Sequence, residues 1–398
     1  MEKLHDYEEL QEEVRAHLQN SNMASAAAKI QEYLDKKKKI PLNIAVTGES
    51  GSGKSSFVNA IRGVDSWDER AAPTGVQETT MEVTPYPHPS FPNVTFWDLP
   101  GVGSMKYPAA EYVKKVGFEK FDFFVIISAD RFRENDVKLA KEIQRMRKKF
   151  YFVRSKIDQD VNNQRRCQRD FSEEKTLTQI RINCVQGLQN QGFMSSQVFL
   201  VTNFDLQLYD FALLAETLER ELPEHKKEAF LLAMPNISLE VIKRKKEVFQ
   251  SNIIYLAVLS AAVAAVPVPG LSIPVDVSLL VTTVIKYKSG FGLDTQSLQR
   301  LSNCTGVPLD ELFEVIKSPL ALKEITPNLI LRLLPECAGI AASMAAEEAA
   351  RFIPFIGIPI SIGLSFTTTY KGLSIFLDML AADAQRVFEK ALGLNTTG

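Results

Sequence analysis

The spacing of apolar residues changes character twice along the chain. Over the first forty residues Tyr7, Leu10, Val14 and His17/Leu18 fall at helical spacing, as do Met23, Ala27, Ile30 and Leu34, which predicts two amphipathic helices. From Pro41 to about Leu222 short apolar runs alternate with helical stretches. The runs Leu42–Thr47, Met81–Tyr86, Val94–Asp98, Phe121–Ser128, Phe150–Ser155 and Gln197–Thr202 read as strands. Between them Lys54–Arg62, Ala109–Val116, Glu134–Lys148, Glu173–Asn190 and Phe211–Glu221 read as helices. Such alternation implies an α/β fold with a mostly parallel sheet. Phe121–Ser128 is apolar almost throughout, as a strand buried on both faces must be. Pro85, Pro87, Pro89 and Pro92 predict a stiff loop between the second and third strands, and the PxxP within it has the form of a binding motif. After Pro223 the strand signals fade and the chain reads as helices broken by Pro and Gly. The expected divisions are 1–40, 41–222 and 223–398.

Composition narrows the class. The chain has 398 residues, 45% hydrophobic and 24% charged, with 46 basic residues against 48 acidic and a formal net charge of −2. That is the balance of a globular protein, and it lacks the basic excess that nucleic-acid binding needs. Cys167, Cys184, Cys304 and Cys337 form no CxxC pair, so neither a disulfide scaffold nor a zinc site is indicated. The charged start MEKLHDYEEL is unlike a signal peptide, Glu2 stands where myristoylation needs glycine, and no prenylation cysteine is seen; a cytoplasmic location is expected.

Chemistry enters at Gly48-Glu49-Ser50-Gly51-Ser52-Gly53-Lys54-Ser55, followed by Ser56. This fits GxxxxGK(S/T) between a strand and a helix, the context that the phosphate-binding loop requires. Its glycines let backbone N–H groups turn toward phosphate oxygens, and the helix adds its positive end. Lys54 would reach the β- and γ-phosphates and the Ser55 hydroxyl would hold Mg²⁺.

Later motifs choose the base. Asp98-Leu-Pro-Gly101 closes a strand as the DxxG element of a GTPase does, with Asp98 acting on the metal through water and the Gly101 N–H meeting the γ-phosphate. Ser155-Lys156-Ile157-Asp158 matches (N/T/S)KxD. The Asp158 carboxylate can accept from both guanine N1–H and the 2-amino group, a donor pair that adenine lacks. Lys156 would lay its stem along the base, and Thr202-Asn203 fits the last base-contacting loop. Switch I is expected in Ala72–Met81, where Thr74, Thr79 or Thr80 would bind Mg²⁺ and sense the γ-phosphate, Thr74 being the first choice. No glutamine follows Gly101 to orient the attacking water, so an isolated molecule should be slow. Glu78 or a second molecule would supply the missing groups.

These residues closely resemble the interferon-inducible immunity-related GTPases. The resemblance rests on Thr47 through Ser56, Thr74-Gly-Val, Phe96 through Gly101, Phe121 through Ala129 and Tyr151 through Asp158, and runs from about residue 5 to 390. Lys54 marks the GKS branch, which implies a hydrolysis-competent member. The resemblance implies a Ras-like G domain and a helical domain built from both chain ends. It also implies binding of GTP and GDP, self-association of G domains in the GTP state, cooperative hydrolysis, and action on intracellular membranes, notably pathogen vacuoles. The family's G-domain contact is matched by Glu49, by Gly75 and Glu78, and by Arg131-Phe-Arg133-Glu134-Asn-Asp136, where Glu134 replaces the usual basic residue.

Two uncharged runs, Ser251–Val275 and Phe352–Tyr370, complicate the tail. Each is near the length of about 20 residues that spans a bilayer. Pro267, Pro269 and Pro274 break the first, so a single spanning helix is disfavoured. A buried helical hairpin and a membrane-attaching hairpin with the basic flank Lys243–Lys246 both remain open. Lys36–Lys39 reads as a helix end or as part of an anionic-surface contact. The expected partners are therefore a second copy of the chain and intracellular membrane lipids, with peripheral membrane association and no nucleic acid. The alternatives are a nucleotide-gated scaffold with hydrolysis as a timer, or a constitutive membrane protein with a nucleotide-binding head.

Overall fold

A computed structural model of the chain describes residues 2–20, 22–75, 82–100, 116–132, 134–194, 197–265, 272–335 and 363–394. The chain divides into two compact units: Pro41–Ser238, and Met1–Ile40 with Leu239–Gly398. Helices α1 (Glu2–Gln19) and α2 (Met23–Lys39) precede the first strand.

In the unit Pro41–Ser238 the strands are β1 (Leu42–Gly48), β2 (Thr84–Pro87), β3 (Val94–Asp98), β4 (Phe123–Ser128), β5 (Lys149–Arg154) and β6 (Val198–Leu200). They form one sheet in the order β2-β3-β1-β4-β5-β6, parallel throughout except for the antiparallel pair β2–β3. Helices α3 (Lys54–Ile61), α4 (Glu134–Arg145), α5 (Ile157–Cys167), α6 (Glu173–Asn190), α7 (Phe211–Glu221) and α8 (Glu224–Ala233) surround it. Strand β4 is buried along its whole length, as its unbroken apolar sequence requires. Phe118, Phe121 and Phe124 pack with Phe152 and Leu139 of the neighbouring elements in the core beside it.

Three features depart from the sequence expectation. Pro85 and Pro87 lie inside β2 rather than in a loop; as an edge strand it has an open side where the missing N–H groups cost nothing. Helix α5 was not expected, because its sequence is polar and buries little beyond Ile157 and Val161. The helix expected at Ala109–Val116 falls almost wholly outside the described residues. Finally, the sequence put a boundary after 222, yet α8 packs on β1 and β3 within the sheet unit. There Lys226 Nζ donates to Asp122 Oδ1 at 2.6 Å, and the Phe230 ring meets Phe123 edge-on at 6.4 Å.

The far edge of the sheet is closed by side chains. Arg181 donates to the Val198 carbonyl at 2.8 Å and pairs with Asp210 at 2.7 Å. Asp210 accepts from the Leu200 N–H through its carboxylate and donates its own N–H to the Leu200 carbonyl.

The second unit is helical. After α1 and α2 it contains α9 (Leu239–Ala265), α10 (Ser272–Gly290), α11 (Thr295–Thr305), α12 (Leu309–Glu314), α13 (Pro319–Leu322), α14 (327–335) and α15 (Gly363–Ala391). The long helix α9 packs against α2, α10 and α15. It contributes Tyr255 and Val258 to a core with Leu10, Val14, Leu18, Ala26 and Ile30, against which Phe366 of α15 also packs. Ser260 on α9 and Thr369 on α15 share a buried hydroxyl–hydroxyl hydrogen bond of 2.8 Å. Within the first uncharged run, then, Ile253, Tyr255, Ala257, Val258, Ala261 and Ala262 are buried in protein, as the core reading anticipates. Pro267, Pro269 and most of the second run lie outside the described residues. Among those described, no helix is long and apolar enough to cross a membrane.

Candidate functional site

The site forms at the end of β1. Gly48 has φ 144°, and a Cβ on it would stand 2.0 Å from the Ile127 carbonyl oxygen, so only glycine fits. The chain then turns through Gly51 and Gly53, at φ 76° and 92°, into α3. Ser52 N–H donates to the Glu49 carbonyl at 3.2 Å, and Phe57 N–H to the Gly53 carbonyl at 2.9 Å. The first N–H groups of α3 have no intrahelical acceptor and carry the positive end of the helix to the loop. Lys54 is only 7% exposed, and its Nζ donates to the Glu49 carbonyl at 2.8 Å, which lays the ammonium across the loop. Ser50 is exposed, while Glu49 and Ser56 are half-buried. The Thr47 and Ser52 hydroxyls are buried with no hydrogen-bond partner among the described residues, a lining able to donate to an anion.

Beside the loop, Ser55 Oγ donates to Asp98 Oδ2 at 2.6 Å, and Asp98 is fully buried. A hydroxyl and a carboxylate oxygen this close are hard donors of the kind that Mg²⁺ takes, so the residues present fit that ion.

On the other side, β5 delivers Ser155 to the loop. Its buried hydroxyl donates to the Ser52 carbonyl at 2.6 Å and lies 3.2 Å from the Ser128 carbonyl. Lys156 adopts the left-handed conformation, φ 58°, and starts α5, whose first turn carries Asp158. Asp158 is half-buried and makes no hydrogen bond or ion pair among the described residues, leaving both carboxylate oxygens to accept. From β6 come Thr202 and Asn203, both buried; Asn203 Nδ2 donates to the Gly53 carbonyl at 3.2 Å.

Sequence reasoning missed two supports. Buried Arg154 donates to the Ser155 carbonyl and pairs with Asp160, tying β5 to the first turn of α5. Burial pushes the Asp160 carboxyl above its ordinary range, with the Arg154 guanidinium pulling the other way. Asn59 on α3 exchanges hydrogen bonds with the backbone of Ala72, at 2.7 and 2.8 Å, and so fixes the chain just before Thr74. The only signals were an arginine inside an apolar strand and an asparagine on the inner face of a helix.

Other expected residues stand apart. Thr74 and Gly75 are exposed; Glu78, Thr79, Thr80 and Gly101 lie outside the described residues. In the segment after β4, Arg131 and Glu134 are exposed, Glu134 pairing with Lys138 at 2.7 Å. Phe132 turns inward against Phe152 and Asp136 is buried.

A glycine-turned loop between an inner parallel strand and a helix, flanked by a serine–aspartate pair, defines a P-loop nucleotide-binding protein. The description "Interferon-inducible GTPase (IIGP)" matches residues 7–391, and the chain belongs to this family. It is 43% identical over 384 residues to Interferon-inducible GTPase 5 of Rattus norvegicus, covering 96% of this chain and 82% of that protein. It is 37% identical over 382 residues to Interferon-gamma-inducible GTPase 10 of Mus musculus, covering 96% and 89%. A solved structure of Era in complex with MgGDPNP and a ribosomal RNA segment aligns at TM-score 0.31 and 18% identity, over 46% of this chain and 57% of that one.

Proposed function

We propose that this chain binds GTP and hydrolyses it to GDP and phosphate, self-assembles in the GTP state, and acts at intracellular membranes in cell-autonomous immunity. The observation that carries the first part is the convergence of Gly48–Ser56, Asp98 and Ser155–Asp158 at one end of the sheet, with the Ser155–Ser52 hydrogen bond joining base side to phosphate side. Family membership supports the immune setting.

In this reading the backbone amides of Gly51, Gly53, Lys54 and Ser55 and the Lys54 ammonium receive the phosphates, and Asp158 selects guanine. Ser55 and Asp98 would hold Mg²⁺, which when bound neutralises charge on the phosphate oxygens. Buried Thr47, Ser52 and Asp98 keep the phosphate side dry, so each donor acts in a low dielectric. Exposed Thr74, Gly75, Arg131 and Glu134 are available to a second molecule. Supplying the missing water-orienting group in trans would couple turnover to assembly. The described uncharged helix segments are packed in protein, so the membrane contact rests on the Pro-broken segments and their basic flanks.

Base selection is the test of the nucleotide reading. Asp158→Asn should lower GDP affinity by at least about tenfold and erase the preference for guanine over xanthine. Unchanged guanine preference in equilibrium titrations would contradict the assignment.

A further inference from the structure

Asn203 was expected to touch the base, yet its amide nitrogen turns to the phosphate loop, while its Oδ1 is buried with no partner among the described residues. The residue is 9% exposed, and its Nδ2 donates to the Gly53 carbonyl at 3.2 Å. That carbonyl already accepts the first helical hydrogen bond, from Phe57 N–H at 2.9 Å. One residue earlier, the Ser52 carbonyl is held by Ser155 Oγ at 2.6 Å. Two successive carbonyls of the loop are thus pinned by side chains from the ends of β5 and β6. The fit is close: a Cβ on Gly53 would lie 3.2 Å from Asn203 Nδ2 and 3.8 Å from Ser155 Oγ.

Peptide geometry gives this arrangement a consequence. In a trans peptide the C=O of one residue and the N–H of the next point in opposite directions, and no peptide among the described residues is cis. Holding the Ser52 carbonyl toward Ser155 turns the Gly53 N–H away from it. Holding the Gly53 carbonyl toward Asn203 does the same for the Lys54 N–H. Both amides are thereby aimed at the hollow of the loop, where the nucleotide's bridging phosphate would sit.

We propose that Asn203 is a positioning residue for the phosphate end of the site: through the Gly53 carbonyl it fixes the amide direction of Lys54 and the start of α3, and it contributes to affinity for the β-phosphate rather than to reading guanine. This rests on the nucleotide reading above and assigns that site a coupling between its two ends.

The test compares GDP, GMP and IDP binding to the full-length chain by calorimetry. Asn203→Asp keeps the shape but loses the donor, Asn203→Ala removes the group without adding charge, and Asn203→Gln restores an amide. For Asn203→Asp and Asn203→Ala the expected result is a loss of about tenfold in GDP affinity, a much smaller loss for GMP, and an unchanged GDP-to-IDP ratio. Asn203→Gln should recover part of the GDP loss. A collapsed GDP-to-IDP ratio would return Asn203 to the base and overturn the proposal; so would equal losses for GDP and GMP, or unaltered GDP binding in both donor-less variants. A merely structural residue would lower all three ligands together. Wild type binding ADP as well as GDP would instead sink the nucleotide reading, whatever the Asn203 variants do.

Discussion

Lys245 is the residue most at odds with its surroundings. It is fully buried on α9, and its Nζ donates to the carbonyl of Gly290, the last residue of α10, at 2.8 Å. There it serves the helix end electrostatically, since cations are favoured at helix C-termini. Burial nevertheless pushes its ammonium down from 10.5 to about 7. The unfolded chain therefore holds the extra proton between about pH 7 and 10.5, and this group's contribution to stability rises with pH across that window. Lys245→Met should accordingly raise the melting temperature most near or below pH 7, with the advantage shrinking toward pH 10. Thermal denaturation at several pH values checks this, and a constant offset would refute the burial argument. The same scale shows what a sequence can disclose about a site. Fixed spacing within a motif is what singles out Lys54, Ser55, Asp98 and Asp158 as the expected site residues. The bond from Asn203 to the Gly53 carbonyl was not legible because the two residues lie 150 positions apart, a distance no local pattern encodes. Arg154 and Asp160 were missed because an ion pair between a buried strand end and a half-buried helix turn leaves no periodic signature.

Among elements, legibility followed hydrophobic pattern. β3, α6 and α7 match their expected bounds, because each buries a face marked by apolar spacing. α5 has almost no such face, and what holds it is the left-handed turn at Lys156 and the Arg154–Asp160 pair. A similar long-range support operates in the helical unit. Asp383 on α15 is fully buried and accepts from the N–H groups of Lys317 and Ser318 at 2.8 and 3.0 Å, just before α13, while also pairing with Arg386. A helix as short as α13 does not hold by itself. Removing the carboxylate would leave two donors and a guanidinium without their acceptor. Asp383→Ala should therefore cost roughly 3–5 kcal/mol in denaturant unfolding, and a loss below about 1 kcal/mol would show that water replaces it.

For the whole chain, the helical unit takes residues from both ends while the sheet unit is one continuous segment inserted between them. The insertion point was legible at Pro41, where the hydrophobic period changes. Its far end at Ser238 was not, because α8 follows the last strand as an ordinary helix. If catalysis is completed in trans, specific GTPase activity should climb with protein concentration, at least severalfold across the range where light scattering reports assembly. A flat, slow rate would favour the scaffold with a timer. Which surfaces can take part is narrowed by the sheet's two borders. On β2 the N–H of His88 and the alternate residues before it turn toward β3, so Pro85 and Pro87 face outward and present no donor. On β6 the Val198 carbonyl is taken by Arg181, and the Leu200 N–H and carbonyl by Asp210. Both borders are therefore poor templates for a further strand, from a second copy or from an unfolded neighbour. Growth into fibres by sheet extension is thereby disfavoured, and if copies of the chain associate, side-chain contacts rather than these strand edges would hold them.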